Sequence, residues 1–179
     1  MIIETTEKFT KEEIDEVFAV TLKRSQIYKA PEKPLKDPFK DAIGNIIWGG
    51  CALVITFVLG LILKFSPVSV IAMTLSGVLL LVGILMLVTE KKAYKESYAL
   101  FSKQDHSKVE FNEEKIGVEM SNGTTVNIKW NEVEFIKAFK ATVGVFSSDK
   151  ARALIIPLKY WDEIAKFMHD NKIIVKFFR

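Results

Sequence analysis

The chain has 179 residues, 25 Lys and Arg against 22 Asp and Glu, a formal charge of +3 and a mean hydropathy of +0.19. That balance is too small to favour nucleic acid, and no arginine-rich stripe is present. One cysteine, Cys51, excludes an internal disulfide, as expected of soluble parts in the cytoplasm.

Ile2 and Ile3 precede polar residues and are compatible with a short strand. Thr10 and Glu13 have the spacing of a capping box, with Thr10 as N-cap. The helix that follows places Ile14, Val17, Phe18, Thr21 and Leu22 on one face. Its other face opens acidic (Glu12, Asp15, Glu16) and closes basic (Lys23, Arg24), which suits the helix dipole. An interfacial membrane helix is more often basic throughout, so this one is expected to dock on the protein itself. Ala30 to Phe39 carries Pro31, Pro34 and Pro38 among lysines and reads as an extended linker.

The organising stretch comes next. Ala42 to Leu63 is 22 residues without a charge, and Phe65 to Thr89 is 25 more, with Lys64 alone between them. At about 1.5 Å per helical residue and about 30 Å of hydrocarbon, each run can cross a bilayer. The alternative, a buried helix pair in a soluble protein, rarely runs so long without charge. Pro67 suits an early position in the second helix. Small residues recur along both helices, and an antiparallel pair would level Gly60 with Ala72, Thr56 with Ser76 and Gly49 with Gly83. No charge lies within either span, so a channel or transporter is poorly supported.

Lys23, Arg24, Lys29, Lys33, Lys36 and Lys40 precede the hairpin, and Lys91, Lys92, Lys95, Lys103 and Lys108 follow it. The positive-inside rule places both termini in the cytoplasm, with Trp48, Tyr94 and Tyr98 as interfacial anchors. Residues 90–101 are good helix formers and are expected to prolong the second helix as a stalk. Lys91, Lys92 and Lys95 would then lie at the lipid headgroups.

From Lys108 the period becomes two. Strands are expected at Val109–Phe111, Ile116–Met120, Val126–Trp130, Val133–Phe139, Val143–Phe146 and Ala153–Ile156, with a hairpin turn at Ser121–Thr124. Trp161, Ile164, Ala165 and Met168 share one face of a closing helix. The tail from Ile173 to Phe178 is too apolar to float freely; an edge strand and a membrane contact both remain open.

The runs Val109-Glu-Phe-Asn112, Ile116-Gly-Val118, Ile128-Lys-Trp130 and Ile155-Ile-Pro157-Leu-Lys159-Tyr-Trp161 resemble the pattern of YcxB-like proteins. These are bacterial membrane proteins with two adjacent spanning helices and a C-terminal cytoplasmic domain similar to pleckstrin-homology folds. The likeness covers Lys108 to about Asp170 by motif and most of the chain by architecture. That pattern tends to put a basic residue directly after the proline; here Leu158 stands there and Lys159 follows. The family supplies no catalytic residues to carry over.

Chemistry-bearing patterns are scarce. His106 and His169 have no ligand company at metal spacing, and Asp105 beside His106 does not make a dyad. There is no G-x-S-x-G, no H-E-x-x-H and no phosphate-cradling glycine loop. Lys137, Lys140, Lys150, Arg152 and Lys159 are candidates for a basic rim, with an ordinary solvated surface as the bland alternative. Trp130 and Trp161 are expected in packing roles.

The sequence therefore predicts a membrane α-helical hairpin plus a mainly-β (α+β) cytoplasmic domain, a small pleckstrin-homology-like barrel or sandwich capped by a C-terminal helix. The divisions are an N-terminal segment 1–40, a hairpin 41–90 with spans of about 42–63 and 67–89, a stalk 91–105 and a domain 106–179. No enzyme, cofactor or metal is predicted. The expected role is a plasma-membrane interaction module with a protein partner, homo-oligomerisation being left open. Headgroup binding by the basic rim is the alternative.

Overall fold

The computed structural model describes residues 2–5, 8–103, 107–120 and 123–179. The chain divides into two compact units, one made of Met1–Leu35 with Ser97–Arg179, the other of Lys36–Glu96. The N-terminal segment is thus built into the C-terminal domain rather than standing apart from it.

In the first unit, β1 (Ile2–Thr5) and α1 (Lys11–Lys29) come from upstream, and the rest follows residue 106. β2 (Ser107–Phe111), β3 (Lys115–Met120) and β4 (Thr125–Lys129) form an antiparallel meander, and β1 adds to its edge with Ile3 opposite Val109. The second sheet has the order β7-β6-β5-β8, from β5 (Val133–Ala138), β6 (Thr142–Ser147), β7 (Ala153–Pro157) and β8 (Phe177–Phe178). β8 pairs parallel with β5, and the other pairings are antiparallel. Both sheets are open, and with the helices they make an α+β layout.

Alternation explains the layers. In the first sheet Val109, Phe111, Ile116 and Ile128 point inward, while Lys108, Glu110, Glu119 and Lys129 point to solvent. The second sheet is covered on both faces, so its β6 is buried at every residue. Ile136, Val143, Val145, Leu154 and Ile156 meet the first sheet in a shared core, closed by Ile164 and Met168 of α4 (Trp161–Asp170). Phe135 and Phe146 face the opposite way and pack with Val20 and Ile27 of α1. Their rings stack at 4.8 Å, and Tyr28 sits edge-on to both. Strand alternation sends adjacent Phe135 and Ile136 to the two different cores, and a register shift between Val133 and Phe135 lets Val133, two residues before Phe135, join the shared core instead.

The capping box forms as expected: Glu13 N–H donates to Thr10 Oγ1 at 3.3 Å and Thr10 N–H to Glu13 Oε2 at 2.7 Å. The buried face of α1 differs from the periodicity reading. Thr21 and Leu22 are exposed, whereas Val20, Ile27 and also Glu13, Glu16 and Lys23 are buried. Trp130 packs in the shared core and donates from Nε1 to the Asn112 carbonyl at 2.7 Å. Asp105, His106, Ser121 and Asn122 lie outside the described residues.

The second unit is a helical hairpin. α2 (Lys40–Ile62) and α3 (Pro67–Phe101) are long and apolar enough to cross a membrane, with mean hydropathies of 2.1 and 2.7 in their best windows. Pro67 opens α3, and α3 runs on to Phe101, so the predicted helical continuation is present. Lys64 and Phe65 make the turn in the left-handed region (φ 53° and 50°), and Phe65 N–H donates to the Gly60 carbonyl at 2.7 Å.

Gly49 and Gly83 are both buried between the helices but do not face each other. A Cβ on Gly49 would stand 2.6 Å from Leu80 N, and one on Gly83 would stand 2.8 Å from Ile46 N. The register is therefore displaced by three residues from the level pairing of Gly49 with Gly83. The stagger has a packing reason: each glycine receives the other helix's backbone, where two facing glycines would leave a void. Gly60 takes the Phe65 ring rather than Ala72, at 2.8 Å from its virtual Cβ. Thr56 and Ser76 donate their hydroxyls to Ala52 and Ala72 of their own helices, at 2.8 Å each.

Candidate functional site

The basic-rim candidates Lys137, Lys140, Lys150, Arg152 and Lys159 all belong to the first unit. The structure commits two of them to internal work.

Lys137 lies on β5 and is only 3% exposed. Its Nζ donates to the carbonyls of Pro31 and Lys33, the latter at 2.9 Å, and so pins the proline segment to the sheet. Burial lowers its pKa below the usual 10.5, with Glu32 acting the other way.

Arg152 is a clamp. Its Nη2 pairs with Glu132 Oε2 at 2.8 Å and Asp149 Oδ2 at 3.0 Å, and its Nη1 donates to the Asn127 carbonyl at 3.0 Å. It thereby ties β4 of the first sheet to the β6–β7 turn of the second. Two carboxylates offset its charge, which leaves little for an external anion.

Lys140 and Lys159 are exposed, the second with its Nζ 5.0 Å from the Tyr160 ring centroid. Lys150 stands 5.9 Å from the Tyr28 ring. Lys91, Lys92 and Lys95 are exposed on α3. Among the described residues no group of three or more His, Cys, Asp or Glu could hold a metal ion.

The polar arrangement that sequence reasoning missed is at the β5–β6 turn. Glu16 of α1 is 9% exposed. Its Oε1 accepts from Lys140 N–H at 2.8 Å. Its Oε2 accepts from Ala141 N–H at 3.0 Å, Thr142 N–H at 2.9 Å and the Thr142 hydroxyl at 2.8 Å. One carboxylate thus satisfies three successive backbone donors of the turn, of which Thr142 is fully buried. A lone acid among polar neighbours gives no sequence signal for this, because its partners are main-chain groups more than a hundred residues away.

The far end of β6 is held in a matching way. Tyr28 donates to the Ser147 carbonyl at 2.7 Å, and Arg24 Nη1 to the Ala151 carbonyl at 2.9 Å. Burial raises the Tyr28 pKa, the bond to Ser147 opposing. At this turn the Asp149 carboxylate is held far below its ordinary 3.8, first by the Ser147 hydroxyl, then by Ala151 N–H and by Arg152. A depressed carboxylate stabilises the fold above the unfolded value and loses that contribution as pH falls through the folded one. In pH-dependent thermal unfolding followed by tryptophan fluorescence, Asp149→Asn should lower stability at neutral pH and flatten the decline below about pH 4. Parallel curves for the variant and the parent would show that Asp149 plays no such part.

Comparison with protein-family models, curated proteins and solved structures gives no match to this chain.

Proposed function

We propose that the chain is a non-catalytic membrane protein whose hairpin anchors a YcxB-like, pleckstrin-homology-like module at the inner face of a bacterial plasma membrane, where the module binds a protein partner. The observation that carries the anchoring is the outer surface of the hairpin. Within the best windows of α2 and α3 only 11% and 6% of residues are buried. Isolated exposed leucines are ordinary, but apolar surface on this scale needs a cover, and lipid is the solvent that fits it.

Support for termini on one side comes from the domain itself. β1 pairs with β2, and α1 packs on β5 and β6, from opposite ends of the hairpin. Both flanks must share a compartment to make one core, which demands an even number of crossings. The lysine-rich flanks support the cytoplasm as that compartment. The two open sheets and the closing α4 are compatible with a pleckstrin-homology-like arrangement. Headgroup binding remains the second reading, favoured by the exposure of Lys91, Lys92 and Lys95 on α3.

In a Cys51→Ser background, a cysteine at Lys64 should react with an impermeant maleimide on intact cells, and one at Lys92 only after permeabilisation. Equal reaction of both on intact cells would remove the hairpin topology. Crosslinking in cells followed by mass spectrometry should return the same protein repeatedly. Recovery of lipid adducts alone would remove the partner and favour the headgroup reading.

A further inference from the structure

Residues 171–179 carry three basic side chains, Lys172, Lys176 and Arg179, and no acidic one. This segment is not a loose tail. Ile173 N–H donates to the Met168 carbonyl at 2.9 Å, and the Lys176 carbonyl accepts from Ile136 N–H at 2.8 Å. Ile173 and Val175 pack against the shared core. The alternation that turns these two inward turns Ile174 outward, where it is 95% exposed between Lys172 and Lys176. Phe177, 42% exposed, stacks on Trp161 at 5.3 Å.

An isoleucine fixed at nearly full exposure by its own neighbours is a standing hydration cost. The flanking lysines specify the cover, because a basic and apolar extended segment is complementary to an anionic bilayer surface. We propose that this C-terminal segment is a second membrane contact, with Ile174 entering the headgroup region and Lys172 and Lys176, on the same side of the extended chain, meeting anionic lipid. The proposal rests on the reading that the hairpin crosses the membrane, which keeps a bilayer surface within reach of the domain. It is separate from the predicted basic rim, two of whose members are engaged inside the fold.

The test uses the full chain in a Cys51→Ser background, reconstituted in phosphatidylcholine vesicles with and without phosphatidylserine. An environment-sensitive fluorophore on Ile174→Cys should shift to the blue and be quenched by nitroxide-labelled lipid when phosphatidylserine is present. Lys172→Glu and Lys176→Glu should each weaken that response by about fivefold or more. The same fluorophore on Leu61→Cys, within α2, reports the hairpin alone. A label at 174 that stays open to aqueous iodide while the label at 61 is quenched by lipid would overturn the contact and leave the spanning reading intact. No quenching at either position would overturn both. A blue shift at 174 that grows with protein concentration in detergent would assign the surface to a second copy of the chain and overturn the lipid contact.

Discussion

Glu16→Ala is expected to destabilise the first unit by about 3 kcal/mol, a large fraction of a small domain's stability. The substitution removes the acceptor for Lys140, Ala141 and Thr142 N–H and for the Thr142 hydroxyl. The Thr142 N–H and hydroxyl are buried, and leaving such donors without a partner costs about 1–3 kcal/mol each, whereas water can reach the Lys140 and Ala141 N–H groups. The loss should also loosen α1, whose Val20 and Ile27 cover Phe135 and Phe146. Glu16→Gln keeps one acceptor oxygen and turns an amide donor toward the turn, so it should cost about half as much. Urea unfolding of the full chain in detergent reads this directly. Trp48→Phe leaves only Trp130 and Trp161, both in the first unit, as reporters. A glutamine variant as destabilised as the alanine variant would show that charge, not acceptor count, sets the cost. Two variants as stable as the parent would show that the turn holds α1 weakly.

Gly83→Leu should force the hairpin apart. A Cβ there would stand 2.8 Å from Ile46 N and 3.0 Å from Asn45 Cβ. Because the first obstacle is backbone, no rotamer change relieves it, and the helices must separate along that face. Overpacking of this kind costs about 1–3 kcal/mol, and in lipid no exclusion of water restores the association. Gly49→Leu should act in the same way through Leu80 N. Gly77→Leu is the control, since nothing lies within 4 Å of its virtual Cβ. Distances between spin labels on the two helices, measured in bilayers, should lengthen for the first two variants and not for the third. Lengthening for all three would mean that bulk anywhere on the hairpin matters, and that the glycine contacts do not define the interface.

How much of this was legible follows from the range of the interactions. The hairpin, the capping box at Thr10 and Glu13, and the strands from Val109 to Ile156 are local patterns, and the sequence displays them. Trp130 followed from the alternation of Val126 and Ile128. Glu16, Lys137 and Arg152 were different. Each looks like a solvated charge, Glu16 in a helix, Lys137 in a strand and Arg152 in a turn, and each owes its role to main-chain or side-chain groups that only the tertiary fold brings close. The hairpin register shows the same limit. Small residues mark the contact faces of α2 and α3, but the axial offset is set by where each glycine receives the facing backbone, at Leu80 and Ile46, which no pattern within one helix displays. For α1, periodicity located the helix but placed Leu22 inside and left Ile27 out, because the sheet it covers selects a different stripe.

The first unit is discontinuous, with β1 and α1 on one side of the hairpin and the rest on the other. A ribosome making this chain therefore releases Ile3, Val20 and Ile27 before Val109, Phe135 and Phe146 have been synthesised. Those apolar side chains stay uncovered until the chain beyond the hairpin has been made. If the hairpin crosses a membrane as proposed, translation order makes assembly of the domain a report on correct insertion, since a chain with only one helix threaded would leave its two halves in different compartments.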